Sequence, residues 1–256
     1  MKSQKKGLYI IGNWKMNPAT FDEAKRIWKK TVLSASKVKK VKVIACPPYP
    51  FIRGLSSGKS AVSLGAQDLS FELSGSFTGS VSGAMLKDSG TKFVIVGHSE
   101  RRKEGDTDEI IGKKAFSALS CGLIPIICIG EELRDTEGLF LKTVADSIRT
   151  IHSHIPEKLL SKVIIAYEPV WAVGKSYDTA LSPQQIHEMI IFIQKTLAEL
   201  FDKKIVMNIP VLYGGSVDLE NAKNILKDGE VRGLLIGRKS IEPGFSDIIS
   251  YAGNIK

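Results

Sequence analysis

Eight short apolar runs, separated by stretches of helical period, constrain this chain more than any other feature. Leu8–Ile11, Val41–Cys46, Val62–Gly65, Phe93–Val96, Ile124–Ile129, Val163–Tyr167, Ile205–Tyr213 and Val231–Ile236 read as strands. Between them, Phe21–Leu33, Asp108–Leu119, Leu139–His152, Pro183–Leu200 and Leu219–Leu226 carry helical spacing, and Ser182-Pro183 and Asp218 supply start signals. Strands apolar on both faces belong in a parallel sheet covered by helices, and eight of them close such a sheet on itself. The expectation is an α/β fold, a single-domain (β/α)8 barrel over residues 1–256. The alternative, an open doubly wound sheet, usually carries a G-x-G-x-x-G turn, and neither that pattern nor G-x-x-x-x-G-K occurs. Gly54-Leu55-Ser56-Ser57-Gly58 fits G-x-S-x-G, but no strand leads into it, so it reads as a flexible loop.

Composition excludes several classes. With 43% hydrophobic and 25% charged residues the chain is of ordinary globular type, and no apolar run approaches the ~20 residues of a membrane span. The basic start, Met1 to Gly7, leads into too short an apolar stretch for a secretory leader, so a cytoplasmic address is expected. Cys46, Cys121 and Cys128 show no C-x-x-C spacing and read as reduced thiols. His152 and His154 flank Ser153 and do not share a helical face, so no metal and no cofactor are expected.

The net charge of +9 invites a nucleic-acid reading, but its distribution weakens it. Residues 1 to 42 hold twelve Lys/Arg against Asp22 and Glu23, so the whole excess is N-terminal. Lys25, Arg26, Lys29 and Lys30 sit on one amphipathic helix, where a solvated face explains them, and no RNA motif, zinc finger or basic zipper accompanies them. A nucleic-acid-binding side role of this region stays only as an alternative.

The chemistry-bearing residues fall where strands end. Asn13 and Lys15 follow the first run, His98 the fourth, Glu168 the sixth, Gly214-Gly215-Ser216 the seventh and Gly237 the eighth. In a (β/α)8 barrel these ends converge on one face, so the common placement argues for one site. A carboxylate removes a proton next to a carbonyl only if donors stabilise the oxyanion that develops, and Lys15, His98 and Asn13 supply such donors. His98 directly precedes a helix start at Ser99-Glu100, whose amides and dipole favour a neutral imidazole. The glycines after runs seven and eight let amides approach an anion, which suggests a phosphorylated substrate. Taken singly, each residue has a bland reading: a surface acid, a solvated lysine, a turn asparagine, a helix cap.

Five stretches together resemble the triosephosphate isomerase family from about Gly7 to Phe245: Asn13-Trp14-Lys15, His98-Ser99-Glu100-Arg101-Arg102, Cys128-Ile129-Gly130-Glu131, Glu168-Pro169-Val170-Trp171 and Tyr213-Gly214-Gly215-Ser216. The resemblance implies a metal-free interconversion of dihydroxyacetone phosphate and D-glyceraldehyde 3-phosphate through an enediolate. Glu168 would be the base, His98 the electrophile, and Lys15 and Asn13 the stabilisers of charge. Gly174, Ser216, Gly237 and the amide of Arg238 would hold the phosphate. Glu100 would orient Lys15, and Cys128 would be a buried neighbour. The loop from Val170 onward would be a lid, with Val173 and Leu235 as apolar clamps on the base.

The segment Gly75-Ser76-Phe77-Thr78-Gly79 resembles the one that enters a neighbouring subunit, which implies a homodimer with Thr78 near the partner's site. Some positions depart from the family. Gly174 is followed by Lys175-Ser176, Arg238 stands where a second glycine is usual, Ser80 replaces a glutamate, and Lys103 to Asp106 is about one residue short. These changes prompt a second expectation, another phosphate-binding barrel enzyme using the same base.

Overall fold

The computed structural model describes residues 7–56, 58–172 and 181–255. Its strands are β1 (Leu8–Asn13), β2 (Val41–Cys46), β3 (Val62–Ala66), β4 (Phe93–Val96), β5 (Ile124–Ile129), β6 (Ile164–Tyr167), β7 (Val211–Tyr213) and β8 (Gly233–Ile236). Every adjacent pair is parallel, and β1 pairs with both β2 and β8, so the sheet is a closed barrel in sequence order. At the seam Ile11 stands opposite Leu235.

The strand residues alternate between two apolar cores, as the two-residue period of a strand requires. Ile11, Ile44, Ile95 and Ile126 fill the barrel interior, while Ile10, Val43, Val94 and Ile127 point outward beneath the helices. All eight are at most 1% exposed, and each such side chain stabilises the fold by about 1.5–3 kcal/mol. Burial on both faces is why these segments read as continuous apolar runs.

The major helices are α1 (Phe21–Ala35), α2 (Tyr49–Leu55), α3 (Gly83–Asp88), α4 (Ser99–Lys103), α5 (Asp108–Ser120), α6 (Leu139–Ser153), α7 (Pro183–Leu200), α8 (Lys203–Val206), α9 (Leu219–Asp228) and α10 (Phe245–Asn254). Capping chemistry sets several starts. Ser182 and Gln185 form a reciprocal box with Pro183 at the first turn of α7, and Asp218 with Asn221 does the same for α9. In α1, Ala24, Trp28, Thr31 and Ala35 face the barrel, while Lys25, Arg26, Lys29 and Lys30 are exposed. Lys25 pairs with Asp22 at 3.0 Å and Arg26 with Glu23 at 3.8 Å, so the basic face is partly neutralised by its own helix.

Three expected segments need correction. Ile205–Tyr213 is not one strand: Asp202 caps α8 by accepting from the Lys204 amide at 2.7 Å, and Pro210 has no N–H for a ladder. Only Val211–Tyr213 pairs. The eighth strand begins at Gly233 rather than Val231. Gly54 and Leu55 end α2 instead of lying in a loop, and Ser57 is outside the described residues.

Candidate active site

At the C-terminal ends of the strands, Asn13, Lys15, His98, Glu168, Gly214, Ser216, Leu235, Gly237 and Arg238 line one cavity of about 250 Å³. The strand-end residues singled out from the sequence are thus brought together. Glu100 and Cys128 stand directly behind them, and Thr78 lies apart on an exposed loop. Val173 and Gly174 lie outside the described residues.

Glu168 is placed by a continuation of the barrel ladder. Its amide donates to Ile129 O at 2.8 Å, and the Gly214 amide donates to Tyr167 O at 2.8 Å. The β5 and β6 ends approach so closely that a Cβ at Gly130 would lie 1.7 Å from the Glu168 carbonyl, so that position requires glycine. The Glu168 side chain is almost wholly buried, with Oε2 accepting from the Ser99 amide at 3.3 Å and Oε1 lying 3.7 Å from His98 Nε2.

His98 is the N-cap of α4, reached through Gly97 at φ 72, a left-handed turn that tips the imidazole into the cavity. Its Nδ1 accepts from the Glu100 amide at 3.2 Å. That bond leaves the ring proton on Nε2, so a neutral imidazole presents a donor toward Glu168 and the cavity.

Lys15 takes the unusual φ of 53. Asn13, 4% exposed, accepts from the Lys15 amide at 3.0 Å through Oδ1. The Lys15 ammonium contacts Glu100 Oε1 at 2.6 Å. Partial burial works to raise the Glu100 carboxyl, but the hydrogen bond and charge of Lys15 outweigh it and leave the group below the usual carboxylate range.

Two buried groups frame Glu168. Burial, then the nearby Glu168 carboxylate, push the Cys128 thiol well up, so it stays protonated beneath the site. Glu131, 1% exposed, accepts from Tyr167 Oη and Trp171 Nε1, both at 2.9 Å, and its carbonyl accepts from the Val170 amide at 2.9 Å. Burial, reinforced by Glu131, raises the Tyr167 phenol, which therefore keeps the proton it donates to Glu131. These bonds fasten the entry of the segment that follows Glu168.

Beside Glu168, Gly214, Gly215 and Ser216 lead into α9, with Ser216 Oγ donating to Ala172 O at 2.6 Å. Gly237 precedes a short 3-10 turn, Arg238–Ile241, and packs against the Lys15 stem. The Arg238 side chain is exposed and leans toward Glu242 at 3.9 Å. Among the described residues no group of three or more His, Cys, Asp or Glu is placed to hold a metal ion.

Two contributors escaped the sequence reading. The Ser99 amide that holds Glu168 is backbone and has no residue signature. Gln67, the first residue after β3, donates through Nε2 to Lys15 O at 2.8 Å and to Cys46 O at 2.9 Å. Its signal was a polar residue directly at a strand end, the criterion that found the others.

Fold and site define a class: a (β/α)8 barrel that sets a buried carboxylate against a neutral imidazole, with a lysine and glycine-rich turns on the same face. Within that class the chain belongs to the triosephosphate isomerase family, whose model matches residues 8–252. It is similar to the triosephosphate isomerase of Alkalilimnicola ehrlichii, 39% identical over 255 residues, covering 95% of this chain and 97% of that protein. That of Endomicrobium trichonymphae is 36% identical, covering 95% of this chain and 98% of the relative. That of Carboxydothermus hydrogenoformans is 38% identical, covering 91% and 94%.

Proposed function

We propose that this chain interconverts dihydroxyacetone phosphate and D-glyceraldehyde 3-phosphate, an aldose–ketose isomerisation, by moving one proton between adjacent carbons. The observation that carries the reading is the buried Glu168 carboxylate 3.7 Å from the protonated Nε2 of His98, in the cavity that Lys15 also lines.

In the ketose, Glu168 takes a proton from C1 and the C2 carbonyl gathers charge. His98 Nε2–H donates to that oxygen, while the Lys15 ammonium and the Asn13 amide stabilise the enediolate. His98 then recovers a proton from the C1 hydroxyl, and Glu168 returns its proton to C2, giving the aldehyde. Atoms and charge balance without metal or redox cofactor.

A substrate oxygen about 2.8 Å from Nε2 and a carbon about 3–3.5 Å from the carboxylate do not fit in line within 3.7 Å. Binding therefore parts the pair, and the long 3.3 Å bond from Ser99 is a weak tether to release. The amides of Ser216, Gly237 and Arg238, with Gly174 from the segment beyond Ala172, are assigned to the phosphate.

A homodimer is part of the same reading. Apart from Glu72, residues 71–80 are exposed, Phe77 at 47%, and Met16 beside Lys15 is 93% exposed. A second copy would cover this apolar surface and bring Thr78 to the partner's site. The described residues contain no helix long and apolar enough to cross a membrane, and the three free thiols fit a cytoplasmic address.

The test is a coupled isomerisation assay in the presence of chelator, run on the unaltered chain and on Glu168→Gln. Turnover by the former and a loss of several orders of magnitude in the latter are expected. Absence of turnover in the unaltered chain would remove the proposal.

A further inference from the structure

We infer that Gln67 is a positioning residue for this reaction: its side-chain amide ties the Lys15 carbonyl to the end of β2 and so holds the lysine in the backbone conformation that aims its ammonium into the site. The inference rests on the isomerase reading.

A non-glycine residue at φ 53 is uphill in energy and persists only where its surroundings over-determine it. Lys15 is gripped at three points. Its amide donates to Asn13 Oδ1 at 3.0 Å, its ammonium meets Glu100 at 2.6 Å, and its carbonyl accepts from Gln67 Nε2 at 2.8 Å. The first two partners, Asn13 and Glu100, are themselves candidate site residues. Gln67 belongs to neither the acid–base pair nor the cavity lining.

The two hydrogens of Nε2 are both engaged, one on Lys15 O and one on Cys46 O at 2.9 Å. Cys46 O also accepts from the Trp14 amide at 3.1 Å, so one primary amide joins the ends of β1, β2 and β3 beside the strained residue. A neutral primary amide carries two hydrogens on one nitrogen, so it serves both carbonyls without placing a charge beside them.

The support behind Gln67 is rigid. The next residue, Asp68, lies 2.8 Å from the buried Lys114 ammonium, which also holds Asp106 at 2.7 Å, and the Arg101 guanidinium lies 3.1 Å from Asp68. The shortened segment Lys103 to Asp106 therefore still delivers Asp106 to a charge cluster that fixes the turn after β3. Gln67 transmits that rigidity to Lys15. Without its donor the Lys15 peptide is free to relax toward negative φ, which draws the ammonium off Glu100 and the enediolate.

The experiment compares Gln67→Met and Gln67→Glu with the unaltered full-length chain by steady-state isomerisation from pH 5.5 to 8.5, with thermal melts to establish folding. Gln67→Met, close in size and without donors, should lose about 100-fold in kcat/KM, the scale of a misplacement near 1 Å. Gln67→Glu should be worse at pH 8, where a carboxylate faces two carbonyl oxygens. Half-buried and beside Asp68, that carboxylate should titrate above the usual range, and its neutral form donates one hydrogen bond. The activity of Gln67→Glu relative to the unaltered chain should therefore climb as pH falls, while the ratio for Gln67→Met stays flat.

A merely structural glutamine would give parallel pH profiles. Folded variants within twofold of the unaltered chain, or a flat ratio for Gln67→Glu, would overturn the inference. An inactive unaltered chain would instead remove the isomerase reading, so the two failures are told apart.

Discussion

His152 should make this protein acid-labile in a way one substitution abolishes. The ring is 1% exposed on the inner face of α6, its Nδ1 donates to Ile148 O at 2.8 Å, and it packs 6.2 Å from the Phe201 ring. Nε2 is buried and has no partner among the described residues, so a second proton there would meet no acceptor. Burial accordingly lowers the group from its ordinary 6.5 to about 4. The unfolded chain binds this proton near pH 6.5 and the folded chain only near pH 4. Its effect on stability is absent above about pH 6.5, and stability falls as pH drops through the window from 6.5 to 4.

At 1.36 kcal/mol per unit, a 2.5-unit gap removes about 3 kcal/mol across the window, and about 2 kcal/mol of that is gone by pH 5. Against a typical stability of about 5–15 kcal/mol, this is large. Urea unfolding of the unaltered chain and of His152→Leu, at one protein concentration and at pH 7.5, 6 and 5, measures it. The offset at pH 7.5 can take either sign, because leucine changes packing. What is expected is that the difference shifts in favour of the variant by about 2 kcal/mol between pH 7.5 and 5. A difference that stays constant over that range would refute the argument, since every other titrating group cancels in it.

Gly214→Ala should damage catalysis without unfolding the barrel. Its Cβ would sit 2.9 Å from Glu168 Cγ and 3.4 Å from Oε1, so the proposed base must shift, and kcat should fall by about 100-fold per ångström while the melting temperature changes little. Unchanged kcat would show that the carboxylate position is not critical. Phe77→Glu should place a charge in the proposed subunit contact. Sedimentation should show the unaltered chain at twice 28.0 kDa and the variant at 28.0 kDa, and an unaltered chain that sediments at 28.0 kDa would remove the dimer.

The barrel was legible because each strand is buried on two sides, so Val41–Cys46, Phe93–Val96 and Ile124–Ile129 end in the structure where their apolar runs end. The seventh strand was overdrawn because apolarity does not separate Ile205 and Val206 in a capped turn of helix from Val211 in a ladder. Asp202 and Pro210 carried that distinction. Glu168, His98, Lys15 and Asn13 were legible as side chains whose types suit one reaction at strand ends. What holds them was not: the Ser99 amide has no side-chain signature, and the left-handed turn at Lys15 occurs at a residue type that rarely adopts it. Gln67 was overlooked because an amide suggests no chemistry until its two carbonyl partners are in view.

The seam between β1 and β8 bears on how the molecule comes into being. Tyr9 finds Gly233 only after more than two hundred intervening residues exist, and until then β1 and β7 present unpaired edges, the template for aggregation that a closed sheet abolishes. The site spans that seam. Ser240, just beyond β8, donates to the Asn13 carbonyl at 3.3 Å, and Gly237 packs on the Lys15 stem. A nascent or truncated chain lacking the last strand thus has Glu168, His98 and Lys15 but not the wall that seats the lysine. Appearance of activity during refolding should then time the arrival of the eighth strand rather than the collapse of the first seven.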